Sequence, residues 1–114
     1  KLDGTLIITT PQLLSLKDVI RGINMFIKVD VPILGVVENM SYLEEQNEKK
    51  YIFGESKTKS LLIKENINLI EELPFNLNVP KSCDEGKPYC FDYKDDYSLK
   101  FENITNAITK KFQS

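Results

Sequence analysis

Apolar and polar positions alternate along this chain with two different periods. Thr5 to Thr10 is β-branched and apolar on both faces, follows an Asp3-Gly4 turn signal and stops at Pro11, as a strand buried on both sides should. Leu16, Val19, Ile20, Ile23, Phe26 and Ile27 then recur at helical spacing behind a capping-box variant, Ser15 with Asp18. A helix is expected from Ser15 to about Val29, with Gly22 a mild weakness or a point of close packing in its interior. Pro32 precedes a second apolar strand, Ile33 to Val37, which runs into the polar pair Glu38-Asn39.

The pattern breaks beyond Ser41. A polar run, Glu44 to Lys50, lies between Tyr42-Leu43 and Tyr51-Ile52-Phe53, predicting a hairpin excursion at about 42–53 with a solvated tip. A second helix is expected over Ser56 to Asn66, with a less regular stripe of Leu61, Leu62, Ile63 and Ile67. Asn68 to Leu73 reads as a third strand, ended by Pro74. Asn78 to Glu85 fits a short helix with Gly86 at C′ and Pro88 two residues on. Asp95 or Asp96 then caps the last helix, whose stripe is Tyr97, Phe101, Ile104, Ile108 and Phe112. This order predicts an α/β fold: three layers, a mostly parallel sheet flanked by helices, built from right-handed βαβ units. No repeat or low-complexity linker divides the chain, so it is one domain or part of one.

Composition narrows the function classes. A net charge of -2 provides no field favouring nucleic acid, and no run approaches the roughly 18 apolar residues of a membrane span. The stripe ending in Lys110-Lys111-Phe112 has both charge signs on its polar face, which favours core packing over a membrane surface. Cys83 and Cys90, with Gly86 and Pro88 between them, match no zinc, haem or thioredoxin spacing. They read as free thiols in a reducing compartment, the cytoplasm or an organelle.

Candidate chemistry gathers at strand ends. In open α/β sheets ligands bind beyond the carboxyl ends of the strands, where Asn39 stands. Its amide can donate and accept in one plane, as a purine edge requires; the alternative is an Asx turn that merely ends the strand. Glu38 is expected to be solvated. Thr9, Thr10 and Gln12 end the first strand and read as packing or cap groups. No G-x-x-x-x-G-K-[ST] loop occurs in the chain, so a possible base reader lacks a phosphate cradle.

Several stretches together resemble a known family. They are Thr9-Thr10-Pro11-Gln12, Gly22-Ile23-Asn24-Met25-Phe26, Val31 to Tyr42 with its Glu38-Asn39-Met40-Ser41, Ile52-Phe53-Gly54, Leu73-Pro74, and Asp84-Glu85-Gly86-Lys87-Pro88. They resemble the C-terminal half of the Mrp/ApbC-type P-loop ATPases of the MinD/ParA superfamily. The resemblance implies one P-loop NTPase domain whose phosphate loop and Walker B segment would precede Lys1. It also implies ATP and Mg as cofactors of the full-length parent, a homodimer, and iron–sulfur apo-proteins as targets. Asn39 with Pro74, Phe75 and Asn76 would then form the adenine side of the site. Tyr42, Tyr51 and Phe53 would be exposed aromatics at the dimer interface, or else fold back onto their own hairpin.

The family's cluster-bridging Cys-x-x-Cys belongs after Asn-Met-Ser-Tyr, where Leu43 to Lys50 contains no cysteine. That argues against an iron–sulfur cluster held by the usual ligands. No catalytic or metal-ligating residue is expected within the chain, which alone should be inactive. Two other readings remain open. One is a non-enzymatic interaction module. The other is a MinD/ParA-type positioning ATPase, against which Glu38-Asn39-Met40-Ser41 argues.

Overall fold

The computed structural model describes residues 2–54 and 57–113. In chain order the elements are β1 (Thr5–Thr9), α1 (Leu13–Lys28), β2 (Ile33–Glu38), β3 (Leu43–Glu45), β4 (Glu48–Lys50), α2 (Thr58–Lys64), β5 (Leu69–Glu72), α3 (Asn78–Asp84), α4 (Tyr89–Asp92) and α5 (Asp96–Phe112). Strands β1, β2 and β5 form a parallel sheet with β2 in the middle, while β3 and β4 make a separate antiparallel ribbon. The expected α/β architecture is present.

Successive residues of a strand point to opposite faces, and β2 shows the consequence. Val36 packs with Val19 and Ile23 of α1 and Leu62 of α2, whereas Val37 packs with Leu73 and with Ile104 of α5. Both faces of β2 are therefore covered, which explains its continuous apolar run. Strand β1 lies at the sheet edge and is less buried than its apolar run predicts, with Ile8 59% exposed. Gly35 lets β5 approach. A Cβ there would stand 2.5 Å from Ile70 Cδ1 and 3.1 Å from the Asn68 carbonyl oxygen. Glu71 pins α5 to the sheet, its two oxygens lying 3.1 Å from Lys100 Nζ and 3.3 Å from Asn103 Nδ2.

Helix ends follow one rule. Asp30, Asn66 and Gly86 all have positive φ at the C′ position of α1, α2 and α3. Each donates to the carbonyl three residues back, while the next residue (Val31, Ile67 or Lys87) donates to the carbonyl five back, the Schellman arrangement. Gly86 sits at C′ as the sequence predicts. Asp95 is the N-cap of α5, in a reciprocal box with Ser98.

Some elements differ from expectation. Helix α1 begins at Leu13, two residues early, and the Ser15–Asp18 box does not form. Ser15 already lies inside the first turn, and its hydroxyl reaches back to Thr10 Oγ1 at 2.6 Å. The polar run Glu44 to Lys50 is not only a hairpin tip but also supplies both strands of the ribbon. The turn is only Gln46-Asn47, both at positive φ, so a two-residue loop sets the register of a ribbon with largely solvated faces. Tyr51 to Phe53 lie beyond the ribbon. One-turn α4 went unforeseen, being too short to show a period. The expected start of α2 at Ser56 lies outside the described residues.

Candidate nucleotide-side site

Strand β2 delivers Glu38 and Asn39 to the carboxyl edge of the sheet. Glu38, expected in solvent, is 0% exposed. Its Oε1 accepts from the Ser41 hydroxyl at 2.6 Å, and the same hydroxyl lies 2.8 Å from Glu72 Oε2. One hydroxyl hydrogen thus serves two carboxyl groups on neighbouring strands. Glu38 is a structural residue of the strand end.

Asn39 stands one residue further, half-buried. Its backbone N–H donates to the Thr9 carbonyl at 2.7 Å, so it is registered against the end of β1. Its Oδ1 accepts from the Met40 N–H at 2.9 Å, and Met40 turns the chain at φ +52°. The side chain therefore helps to end the strand. Its Nδ2 has no hydrogen-bond partner among the described residues, so the amide keeps its donors. Asn39 borders a cavity of about 270 Å³ with Ile8, Thr9, Thr10, Ser15 and Asp18, outside the ends of β1 and β2. The hydroxyls there are largely committed. Thr10 Oγ1 donates to Gln12 Oε1 at 2.7 Å and faces Ser15, and Thr9 Oγ1 donates to the Thr10 carbonyl at 3.2 Å.

Pro74, Phe75 and Asn76 lie on the other flank of this strand end. The Leu73 N–H donates to the Glu38 carbonyl at 2.7 Å, Ser41 N–H to Leu73 at 2.8 Å, and Phe75 N–H to Tyr42 at 2.9 Å. The backbone that follows β5 is thereby sewn to the backbone that follows β2. Pro74 is buried, and the half-buried Phe75 ring meets Phe53 at 6.1 Å between centroids. Asn76 accepts from the Asn78 N–H through Oδ1 at 2.9 Å and donates through Nδ2 to Tyr89 Oη at 3.0 Å. Tyr89 in turn donates to Asp95 Oδ2 at 2.6 Å. Burial, and then the adjoining Asp95 carboxylate, raise the Tyr89 pKa above its ordinary 10.0. The hydrogen bond from Tyr89 holds the Asp95 carboxyl below its ordinary 3.8, against the effect of burial.

The three aromatics expected at an exposed surface separate. Tyr42 is 2% exposed, packed near Tyr51 at 5.8 Å with Lys49 Nζ 4.7 Å above its ring. It is a core residue and offers no side-chain surface. It lies four residues beyond β2, in the segment whose backbone is bonded to the chain after β5 through the Phe75 N–H and the Tyr42 carbonyl. Tyr51 and Phe53 are 39% and 43% exposed. Burial disfavours the Lys100 charge, but the hydrogen bond to Glu71 and the nearby Tyr42 phenol outweigh it, so the Lys100 pKa is raised.

Comparison with known proteins gives the family. A profile described as ParA, NUBPL iron-transfer P-loop NTPase, matches residues 1–111. The chain belongs to this NUBPL-type family of P-loop NTPases. It is 41% identical to the iron-sulfur cluster transfer protein NUBPL of Dictyostelium discoideum, over 98% of this chain and 36% of that one. It is 44% identical to an Arabidopsis thaliana mitochondrial iron-sulfur protein required for NADH dehydrogenase, over 77% of this chain and 29% of that protein. A solved nucleotide-binding protein from Archaeoglobus fulgidus, in complex with ADP, superposes with a TM-score of 0.68 at 36% identity, covering 83% of this chain and 39% of that one. The chain thus spans about a third of the curated relatives it matches. The Mrp-type resemblance and the P-loop fold are both upheld.

In a NUBPL-type protein, Asn39 brings an amide donor to the cavity beyond the ends of β1 and β2. Pro74, Phe75 and Asn76 do not line that cavity, and the Phe75 ring packs near Phe53. A cavity of about 270 Å³ falls below the roughly 300–1,000 Å³ of a complete ligand pocket. A cluster as cargo finds less. Cys83 and Cys90 are free, and no group of three or more His, Cys, Asp or Glu side chains among the described residues could hold a metal ion.

Proposed function

We propose that this chain is the adenine-binding part of an ATP-dependent iron–sulfur cluster transfer protein whose phosphate loop and Walker B segment lie in sequence outside it. The carrying observation is Asn39, placed beyond the carboxyl end of the central strand with Nδ2 unengaged among the described residues. Pro74, Phe75 and Asn76 form the opposite wall of the base site. A free edge supports a larger sheet. Among the described residues β1 pairs only with β2, and Ile8 on it is 59% exposed. A further strand laid along β1 would cover that side chain and bring phosphate-binding groups to the same end. Mg and the phosphates are then held by that other part.

Tyr51 and Phe53 are the aromatic contacts of a homodimer, beside the β3–β4 ribbon. The partners are iron–sulfur apo-proteins, and the working compartment is the cytoplasm or an organelle, in line with the mitochondrial relative. No helix among the described residues is long and apolar enough to cross a membrane.

The test is Asn39→Ala in the full-length protein. ATP binding should weaken by roughly 1–3 kcal/mol, the scale of a bidentate base contact, while GTP affinity changes much less. Equal losses for both nucleotides with a falling melting temperature would reduce Asn39 to its strand-ending bond with Met40. The charged ribbon without cysteines favours a second reading, a non-enzymatic module that kept only the fold. Full-length protein that binds no ATP at all would establish it.

A further inference from the structure

Behind the Pro74–Asn76 loop runs a chain of hydrogen bonds whose direction is fixed at both ends. The Asn78 backbone N–H can only donate, and it donates to Asn76 Oδ1. Nδ2 of Asn76 must then face Tyr89, 3.0 Å from Oη. Accepting there, the Tyr89 hydroxyl directs its one hydrogen at Asp95 Oδ2, 2.6 Å away. The other Asp95 oxygen accepts from the Ser98 N–H at 3.0 Å, in the first turn of α5. Reversing the Asn76 amide would set N–H against N–H, so every link holds the others in one sense. The Tyr89 ring is also fixed, stacked on Tyr93 at 4.5 Å and meeting Tyr97 edge-on at 5.2 Å.

Neither helix cap needs this bridge. Asn76 Oδ1 takes the Asn78 N–H at the start of α3 without help from Tyr89, and Asp95 with Ser98 caps α5. What Tyr89 adds is a second anchor at Asn76: the Asn78 N–H sets the sense of the amide, and Tyr89 Oη holds its Nδ2 in place. One Nδ2 hydrogen remains without an acceptor among the described residues.

We propose that Tyr89, anchored on Asp95, is a positioning residue that locks the Asn76 amide with this hydrogen toward the base, making the 74–76 loop selective for adenine over guanine nucleotides. The inference rests on reading that loop as a wall of the base site. Adenine N1 carries a lone pair and guanine N1 a hydrogen, so a donor that cannot turn attracts the first and opposes the second. An amide held only at Oδ1 would let its nitrogen swing away from the base and weaken the distinction.

The experiment measures ATP and GTP dissociation constants by titration calorimetry on the full-length protein. The variants are Tyr89→Phe, Asn76→Ala, their combination and Asn39→Ala. Phenylalanine keeps the ring contacts and removes only the hydroxyl. Tyr89→Phe should lower the ATP-over-GTP preference about three- to tenfold, the reach of one hydrogen bond. The double variant should be no less selective than Asn76→Ala, because Tyr89 acts only through Asn76. Should Tyr89→Phe not fold, Asp95→Asn keeps the N-cap, weakens the anchor, and should lower the preference in the same sense. An unchanged preference, or additive effects in the double variant, overturns the proposal and leaves Tyr89 a packing residue. Asn39→Ala separates the two ideas. Lost ATP affinity there with an intact preference in Tyr89→Phe removes the positioning role alone, and no change in either removes the base site as well.

Discussion

At the scale of single residues, the end of β2 is governed by a hydroxyl. Ser41 lies between Glu38, wholly buried, and Glu72, so its one hydrogen moderates two carboxyl groups that would otherwise face each other in a low dielectric. Ser41→Ala removes that hydrogen without relieving either carboxyl group. It should cost about 1–3 kcal/mol of folding stability, the penalty for stripping a buried polar group of a partner. Urea denaturation of the variant measures it, and a loss below ~0.5 kcal/mol, within the range of an ordinary surface substitution, would contradict this account. Because Leu73 N–H bonds the Glu38 carbonyl and Ser41 N–H bonds Leu73, any slackening here is transmitted to both proposed walls of the base site.

At the scale of elements, the Asp95 cap joins α3, α4 and α5, and its chemistry sets a pH window. The folded-state pKa of Asp95 is depressed, so its contribution is complete above the ordinary carboxyl value of 3.8 and is lost as pH falls through the lower, folded value. Tyr89 is shifted the other way. Its contribution is complete below 10.0 and is lost as pH rises through its higher, folded value. The urea midpoint followed by circular dichroism should therefore hold between these limits and fall on both sides. Asp95→Asn should flatten the acid limb, because the amide still caps α5 but does not titrate. An acid limb of unchanged steepness in that variant would assign the transition to other carboxyl groups.

At the scale of the whole molecule, the proposed function leaves the phosphate side of the site to sequence outside this chain. With no phosphate loop in its sequence, the 114-residue chain on its own should release no phosphate from Mg-ATP above background. Turnover at even ~1 s⁻¹, ordinary for an enzyme, would defeat the reading that the phosphate side lies elsewhere. Anaerobic reconstitution with iron and sulfide should likewise leave no stable cluster on this chain. Its two free thiols could complete four ligands only across a dimer, and Cys83 and Cys90 lie in α3 and α4 rather than on the β3–β4 ribbon. A charge-transfer absorbance band that disappears in a Cys83→Ala, Cys90→Ala double variant would show the opposite.

Local regularities carried most of the architecture. Apolar runs bounded by Pro11, Pro32 and Pro74 marked the three parallel strands, the period of α1 and α5 marked the long helices, and Gly86 marked the end of α3. Asn39 was legible as a strand-end amide for the same reason, since a strand's last residue can be read from where its apolar run stops. These features depend on residues a few positions apart, so sequence spacing contains them.

Burial and partnership at the strand ends depended on contacts between distant parts of the chain. Glu38 and Tyr42 look like surface residues beside a polar hairpin, yet they are buried because the backbone after β5 returns to lie against them. The Asn76–Tyr89–Asp95 chain joins three separate segments, and no period links its members. A carboxylate or a phenol is exposed or enclosed according to what the fold brings over it. Those neighbours, unlike the helix and strand periods, arise only when the sheet is assembled.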